Sequence, residues 1–510
     1  MTKEFNKEPL NILLIYPRYP DTFWSFRHAL KFISKKSFIP PLGLLTVASL
    51  LPSNWNQRLV DLNVDVLLDE DILWADYVLI SAMEIQKKSV REIVSKAKDF
   101  GKRIVAGGPL FSLSPDRFEE IDHLILQEAE TNLPSFIKDL KKGEAKHLYA
   151  NSEWPDLTLS PLPKWDLIDF SNYAVMSVQY CRGCPFDCEF CDVALLNGKE
   201  ARIKTEIQIL EELDTLYMKG WRGIVFFADD NFILKPRKLK GELLPALTKW
   251  MEERRYPFSF LTQASINLGE DEDLMKLMVA AGFNSVFVGI ETVEEKSLVE
   301  CRKVMNSQRD MMAAVKKMQN LGLQVLGGFI VGFDNDPPRI FEDQVNFIQQ
   351  SGIVTAMVGL LNAPPGTKLY KRLQREGRLL GEPTGDNMDA SINFIPKLDY
   401  HQLVQGYKYI LSSIYSPRHF YHRIVVFLAN YTPPKKGRET FKLCYVKAFF
   451  QSIWTLGIIG KGRFYYWKTL LWTACRYPAH VPLCVRLSIY GHHFQKIYEN
   501  SGRQGRGAAK

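Results

Sequence analysis

The sequence predicts an α/β protein in three parts: an N-terminal doubly wound, Rossmann-like domain, a central partial (β/α)6 TIM-like barrel, and a helical C-terminal domain. Three observations carry that expectation. Short apolar runs alternate with helical stretches in two successive series, prolines cluster between the series, and the alternation stops near Pro396. The expected boundaries are 1–150, a proline-rich linker over 151–173, the barrel over 174–395 and the helical domain over 396–510. A chain of 510 residues, 46% hydrophobic and 24% charged, has a globular balance and is too long for one ordinary domain.

In the first series the apolar strands are residues 12–16, 58–61, 77–81, 103–106 and 123–126. Ligands of doubly wound sheets sit beyond the carboxyl ends of the strands, which points to loops 17–20, 81–86, Gly107-Gly108-Pro109 and 128–130. No Gly-x-Gly-x-x-Gly follows the first strand, so a dinucleotide is not the expected ligand. Pro155, Pro161 and Pro163, ahead of Trp165, read as an ordered linker.

The second series opens on a cysteine loop. Cys184, Cys188 and Cys191 fall in the order Cys-x3-Cys-x2-Cys, with Phe190 just before the third. Three soft thiolates on one tight loop suit three irons of a [4Fe-4S] cluster and leave the fourth open; the run resembles that of radical SAM enzymes, which implies that the open iron chelates S-adenosylmethionine. Cys181 adds a second reading, two Cys-x2-Cys pairs of the zinc type. Three residues between the pairs would strain such a site, because structural zinc sites place about 12 to 20 there. Cys181 is therefore expected to be a bystander or a redox-active neighbour of the cluster. Cys301, Cys444, Cys475 and Cys484 are expected to pack as small hydrophobes.

Later strands of this series are residues 224–228, 258–262, 285–288, 325–331 and 356–361. The helix after Thr205 starts with a capping box to Gln208 and is expected to bury Ile207, Leu210, Leu213 and Tyr217. Side chains at the carboxyl ends of barrel strands line active sites. Asp229 and Asp230 there are catalytic candidates, or else caps of the next helix. Gln263 and Ser265 end the third strand. Glu291, ending the fourth, is a candidate to bind the ribose or amine of S-adenosylmethionine, or else to pair with Lys303. The glycines of the fifth, Gly327, Gly328 and Gly332 around Ile330, imply close approach by something flat, with adenine the candidate and a shaping bulge the alternative. The turn from Asn362 to Thr367 is placed to close over the adenosyl group.

The last part is aromatic and basic. Residues 401–510 hold 17 lysines and arginines against 2 acidic residues, a net +15, so the first 400 sum to −7 within the overall +8. Such asymmetry points to an anionic partner. The longest apolar stretch, 448–460, is shorter than the roughly 20 residues of a membrane span. It either lies on a membrane surface, with Lys442, Lys447, Lys461 and Arg463 at the headgroups, or caps the barrel. No RNA-binding motif is present, so nucleic acid is not an expected partner. Residues 1–9 are charged and carry no secretory pattern, which leads to a cytoplasmic expectation with membrane association open. Residues 501–510 read as a disordered tail.

Taken together these residues resemble the cobalamin-binding radical SAM enzymes, in particular the subgroup with a C-terminal extension that includes the hopanoid C-2 methylases. The carriers are Ile39-Pro40-Pro41-Leu42-Gly43-Leu44, Trp74-Ala75-Asp76, and residues 182–191, 227–232, 289–292 and 328–334. Residues 421–428 and Gly491-His492-His493-Phe494 extend the likeness to the end. The resemblance implies three cofactors: a [4Fe-4S] cluster on Cys184, Cys188 and Cys191, S-adenosylmethionine, and cobalamin. Phe190, Gln263, Ser265, Glu291, Gly328, Ile330, Gly332 and Asn362 would contact S-adenosylmethionine, and Ser81, Met83, Gly107, Gly108 and Glu128 would contact cobalamin. The Asp-x-His-x-x-Gly of histidine-ligated cobalamin is absent, Asp122-His123 having the wrong spacing, and the resembled subgroup lacks that histidine too. The implied activity is C-methylation of an unactivated carbon in an apolar small molecule, lipid or polycyclic, with flavodoxin or ferredoxin as electron donor. One S-adenosylmethionine would methylate cobalamin; a second would supply the deoxyadenosyl radical that opens the substrate carbon to the methyl group. The alternatives are a radical SAM enzyme that oxidises, cyclises or rearranges without methyl transfer, and a non-catalytic iron-sulfur or zinc protein.

Overall fold

The computed structural model describes residues 9–151, 153–386, 389–433 and 443–507. Two six-stranded parallel sheets form its frame. The first contains β1 (Asn11–Tyr16), β2 (Asn56–Asp61), β3 (Tyr77–Ser81), β4 (Arg103–Gly107), β5 (His123–Ile125) and β6 (Leu148–Tyr149), in the order β2-β1-β3-β4-β5-β6. This is a doubly wound order of the flavodoxin-like kind, extended by a strand that the sequence reading did not mark. β1 shows why the strands read as continuous apolar runs: Leu13 and Ile15 face one core while Ile12 and Leu14 face another.

The second series begins at β7 (Val175–Val178). A short antiparallel ribbon of β8 (Cys181–Arg182) and β9 (Arg202–Ile203) frames the cysteine loop. β10 (Ile224–Phe227), β11 (Ser259–Ala264), β12 (Phe283–Glu291), β13 (Gln324–Val331) and β14 (Ala356–Leu360) then follow β7 in spatial and chain order. β7 and β14 do not pair, so the barrel stays partial.

Two expectations change on inspection. The Glu206–Met218 helix has its capping box, but it buries Ile209, Leu213 and Leu216 and leaves Ile207 61% exposed. Its inner face also takes in Glu212, because Lys204 pairs with that carboxylate in the interior. The N-terminal boundary is crossed in space: Phe23, Phe26, Leu30 and Phe32 join the barrel core, not the first sheet. Trp24 reaches the barrel strands, donating from Nε1 to Met357 Sδ at 3.0 Å and meeting the Phe287 ring edge-on at 5.3 Å.

The C-terminal domain is helical, as expected. Its last helix, Val481–Gly507, stacks Phe494 on Phe23 at 4.2 Å and places His493 Nε2 3.0 Å from Phe23 O. The tail expected to be disordered is helical to Gly507, and 508–510 lie outside the described residues. Among the described residues no helix is long and apolar enough to cross a membrane. Cys301 and Cys484 are buried as expected, whereas Cys475 is exposed. The side chain of Cys444 lies outside the described residues.

Candidate active site

The cysteine loop leaves β8 at the carboxyl end of the barrel and is held from two sides. On one side stands Asp229, with no exposed surface, whose Oδ1 accepts from Tyr180 N at 2.7 Å and Cys181 N at 2.9 Å. Burial pushes this carboxyl up to about 7 against the opposing pull of those amides. Asp230 accepts from Gly183 N at 2.8 Å and from Asn197 Nδ2. Both carboxylates follow β10 at the strand end as expected: the Asp230 oxygens and Asp229 Oδ1 are held by the loop, while Asp229 Oδ2 is buried without a hydrogen-bond partner. On the other side Arg372 pairs with Glu189 and Asp334, and Arg378 also grips Asp334. The two guanidiniums hold the Asp334 carboxyl down at about 2 despite burial.

Cys184, Cys188 and Cys191 are free and partly accessible, while Cys181 is buried. Among the described residues no three His, Cys, Asp or Glu side chains converge as a single-ion site. Sulfurs serving separate irons of one cluster need no such convergence. Three thiols on one pinned, partly enclosed loop fit a [4Fe-4S] cluster. Burial pushes all four thiols up, so what sets Cys181 apart is its enclosure, the other three being partly accessible.

At the strand ends, register places Gln263 beside Phe287, and Phe287 beside Leu326, on the face that also carries Gly328 and Ile330. Glu291 sits at a register break in β12 with φ +63°. It takes the partner named as its alternative, Lys303, at 2.7 Å. A Cβ on Gly289 would fall 3.0 Å from that lysine's Nζ and closer still to the Glu291 carboxylate, which explains the glycine. Close approach is seen at Gly328 and Gly332, by side chains of this chain. The flat group over Gly328 is the Phe287 ring, 2.8 Å from a notional Cβ, and Gly332 faces Leu403. Ser265 Oγ accepts from Asn231 Nδ2 at 3.0 Å, tying two strand ends together. Phe190 packs 6.1 Å from Phe333. Asn362 donates to Leu360 O and Ser391 O and keeps a buried, unpartnered Oδ1.

A cavity of about 380 Å3 lies between the carboxyl ends of the two sheets. Ser81, Gly107, Gly108 and Glu128 line it, together with Leu42 and Gly43 of the helix Leu42–Leu50. Met83 lies outside it, 42% exposed. The strand reversal between β1 and β3, the usual ligand crevice, is closed by the fully buried Gln86, which donates to Pro17 O at 2.5 Å. From the barrel side Gln179, Arg182, Asn197 and Lys204 complete the wall. Sequence reasoning missed this second wall, although Arg182 stood inside the cysteine motif. Glu128 is less a free ligand contact than expected: Arg182 and Arg202 clamp it, and Arg182 also holds Glu130 at 2.8 Å. All four side chains are at most 13% exposed, so this is a buried ionic joint between the domains. Among the described residues no histidine lines the cavity, and its small-residue floor fits a large, flat group held by shape.

A thiol loop suited to iron-sulfur chemistry, set beside a cavity at the ends of a doubly wound sheet, defines the class of cobalamin-binding radical SAM proteins. Family models match accordingly: "B12 binding domain" over residues 32–137, "Radical SAM superfamily" over 178–348 and "Domain of unknown function (DUF4070)" over 367–506. The chain is 39% identical over 96% of its length to "Uncharacterized methyltransferase sll1242" of Synechocystis sp., covering 92% of that protein. It is 32% identical over 99% of its length to "Hopanoid C-2 methylase" of Rhodopseudomonas palustris, covering 96%. It therefore belongs to the family of cobalamin-dependent radical SAM methyltransferases that includes hopanoid C-2 methylase. Among solved structures, the cobalamin-dependent S-adenosylmethionine radical enzyme OxsB superposes with TM-score 0.60 at 15% identity, over 98% of this chain and 80% of that one. The radical S-adenosylmethionine methyltransferase TsrM from Kitasatospora setae gives 0.57 at 14%, over 95% and 99%. Both likenesses show a shared fold.

Proposed function

We propose that this enzyme methylates an unactivated carbon of an apolar small molecule, a lipid or polycyclic compound. The observation that carries the reading is the shared wall. Arg182 belongs to the cysteine motif and also lines the cavity of the first sheet, so the cluster loop and the cobalamin cavity adjoin one chamber. When bound, the cluster and S-adenosylmethionine supply a hydrogen-abstracting radical, and cobalamin supplies the methyl group. The chain's own residues position these groups and exclude water. Cys184, Cys188 and Cys191 hold the cluster, while Asp229, Asp230 and Glu189 set the loop that carries them. Gln263, Glu291, Ile330 and Asn362 contact S-adenosylmethionine, with Lys303 orienting Glu291 and Asn362 Oδ1 open to a ligand donor. Ser81, Gly107 and Gly108 floor the cobalamin cavity. The electron donor is an acidic flavodoxin or ferredoxin, met by Lys199, Arg302 and Lys368 around Asp187 beside Cys188.

Anaerobic reconstitution with iron, sulfide and cobalamin, then reduction with S-adenosylmethionine, tests this. Formation of both 5′-deoxyadenosine and S-adenosylhomocysteine with methylated product from a hopanoid or similar polycyclic substrate is expected. Deoxyadenosine with an oxidised or rearranged but unmethylated product would overturn it.

A further inference from the structure

We infer that one helical hairpin of the C-terminal domain docks this enzyme on the surface of an anionic lipid bilayer. Its first arm is Leu443–Ser452, continued with π geometry over Ile453–Ile459, and its second is Arg463–Arg476. Trp467 binds the arms together by donating from Nε1 to Gly457 O at 3.0 Å, and Gly457 leaves room for its ring.

The outer surface of this hairpin differs from the rest of the molecule. Among the described residues every exposed phenylalanine and tryptophan lies in it: Phe450 at 64%, Trp454 at 60% and Phe464 at 70%. Residues 450, 454 and 458 recur every four positions along one face of the first arm, and Ile459 at 63% joins Phe464 at the tip. Apolar rings left in water and gathered at one place mark a surface that another apolar phase covers.

Charge identifies that phase. No acidic residue occurs from 440 to 498, whereas Lys461 and Arg463 bracket the tip and Lys468 follows one turn later. Among the described residues no carboxylate pairs with these three cations. An apolar tip ringed by unpaired cations matches the acyl boundary below and the anionic headgroups around it. The geometry is interfacial, because no described helix is fit to span a bilayer. Lys442, expected from sequence at the headgroups, lies outside the described residues. Lys447 reaches Ser34 Oγ at 3.0 Å, which ties the hairpin to the segment that enters the barrel core.

Flotation of the full-length reconstituted enzyme with vesicles tests the inference independently of the reaction. Vesicles of phosphatidylcholine alone are compared with vesicles that also contain phosphatidylglycerol. The enzyme is expected to float with the anionic vesicles and far less with the neutral ones. Ile459→Ser with Phe464→Ser should lower partitioning by about tenfold or more. Lys461→Glu with Arg463→Glu should do the same on anionic vesicles, at roughly fivefold for each cation lost. Bound cobalamin and 5′-deoxyadenosine formation in vesicle-free solution should not change in either variant, which separates lost docking from lost folding. Wild-type enzyme that stays unbound overturns the inference, as does a serine variant that floats equally well. Self-association abolished by the serine variant, without vesicle binding, would assign the face to a protein partner and overturn it too.

Discussion

The two parallel sheets of this chain solve the same problem in different ways. At the ends of the first, the space proposed for cobalamin is made by what is missing: glycines at 107 and 108, a small serine at 81 and, among the described residues, no histidine in the lining. At the ends of the second, the site is made by what is present: three thiols on a loop gripped by Asp229, Asp230 and Glu189. A space held by shape tolerates no added atoms, whereas a site held by ligands tolerates no lost ones. The buried joint of Glu128, Glu130, Arg182 and Arg202 fastens the ribbon that frames the cysteine loop to the wall of that space.

The strongest way to break the comparison is to exchange the expected losses. Cys184→Ala, Cys188→Ala or Cys191→Ala should abolish the cluster absorbance and S-adenosylmethionine cleavage while the apo-cluster protein still binds cobalamin. Retained cleavage in any of the three would show that the loop is not the cluster site. Arg182→Ala strands the buried Glu130 carboxylate and leaves Glu128 to Arg202 alone, and is expected to cost about 3–5 kcal/mol, read as a fall in the denaturant midpoint. A loss below about 1 kcal/mol would mean that the joint is wet and the domains are independent.

The converse exchange is Gly107→Val, whose Cβ would meet Ile125 O at 2.7 Å, with Gly108→Ala beside it at φ +93° and 2.9 Å from Ser81 Oγ. Each should cost about 1–3 kcal/mol and weaken cobalamin binding, with iron content unchanged. Loss of iron together with cobalamin would show that the two sites do not assemble separately.

A smaller effect concerns pH. Asp336 accepts from Gly332 N at 2.8 Å, Phe333 N at 3.1 Å and Ser297 Oγ at 2.7 Å, and burial pushes it up to about 6. Between its ordinary value and about 6 the folded state holds the extra proton. This group's contribution is therefore full at low pH and is lost as pH rises through about 6. Glu300 is the charged neighbour that adds to the shift. Asp336→Asn can keep its oxygen on the two amides and turn its NH2 toward Ser297. Its stability relative to wild type should grow by about 1–3 kcal/mol from pH 4 to pH 7.5, measured by denaturant titration at each pH. A constant difference would remove the titration argument.

Much of this was legible beforehand because periodic burial and ligand spacing are local. The strands of both sheets fall within a few residues of the apolar runs, and the cysteine spacing lies within one loop. The helix after Thr205 shows the limit. Its cap was readable, but its inward face was not, because Glu212 is buried only where Lys204 can pair with it. Glu291 shows another: the side chain was singled out, while its partner was decided by a register break in β12 that brings Lys303 to 2.7 Å.

By itself, then, the sequence determined the α/β series, the place of the thiols and the basic, aromatic end, since each depends on neighbours a few positions apart. Only the tertiary structure decided that Phe23 to Phe32 would leave the first domain for the barrel core. It alone brought Arg182 to Glu128, 54 residues away in the chain, and gathered every exposed phenylalanine and tryptophan of the described residues onto one hairpin. The reason is physical: which side chains are buried, paired or left in water depends on surfaces that meet only when the chain is folded.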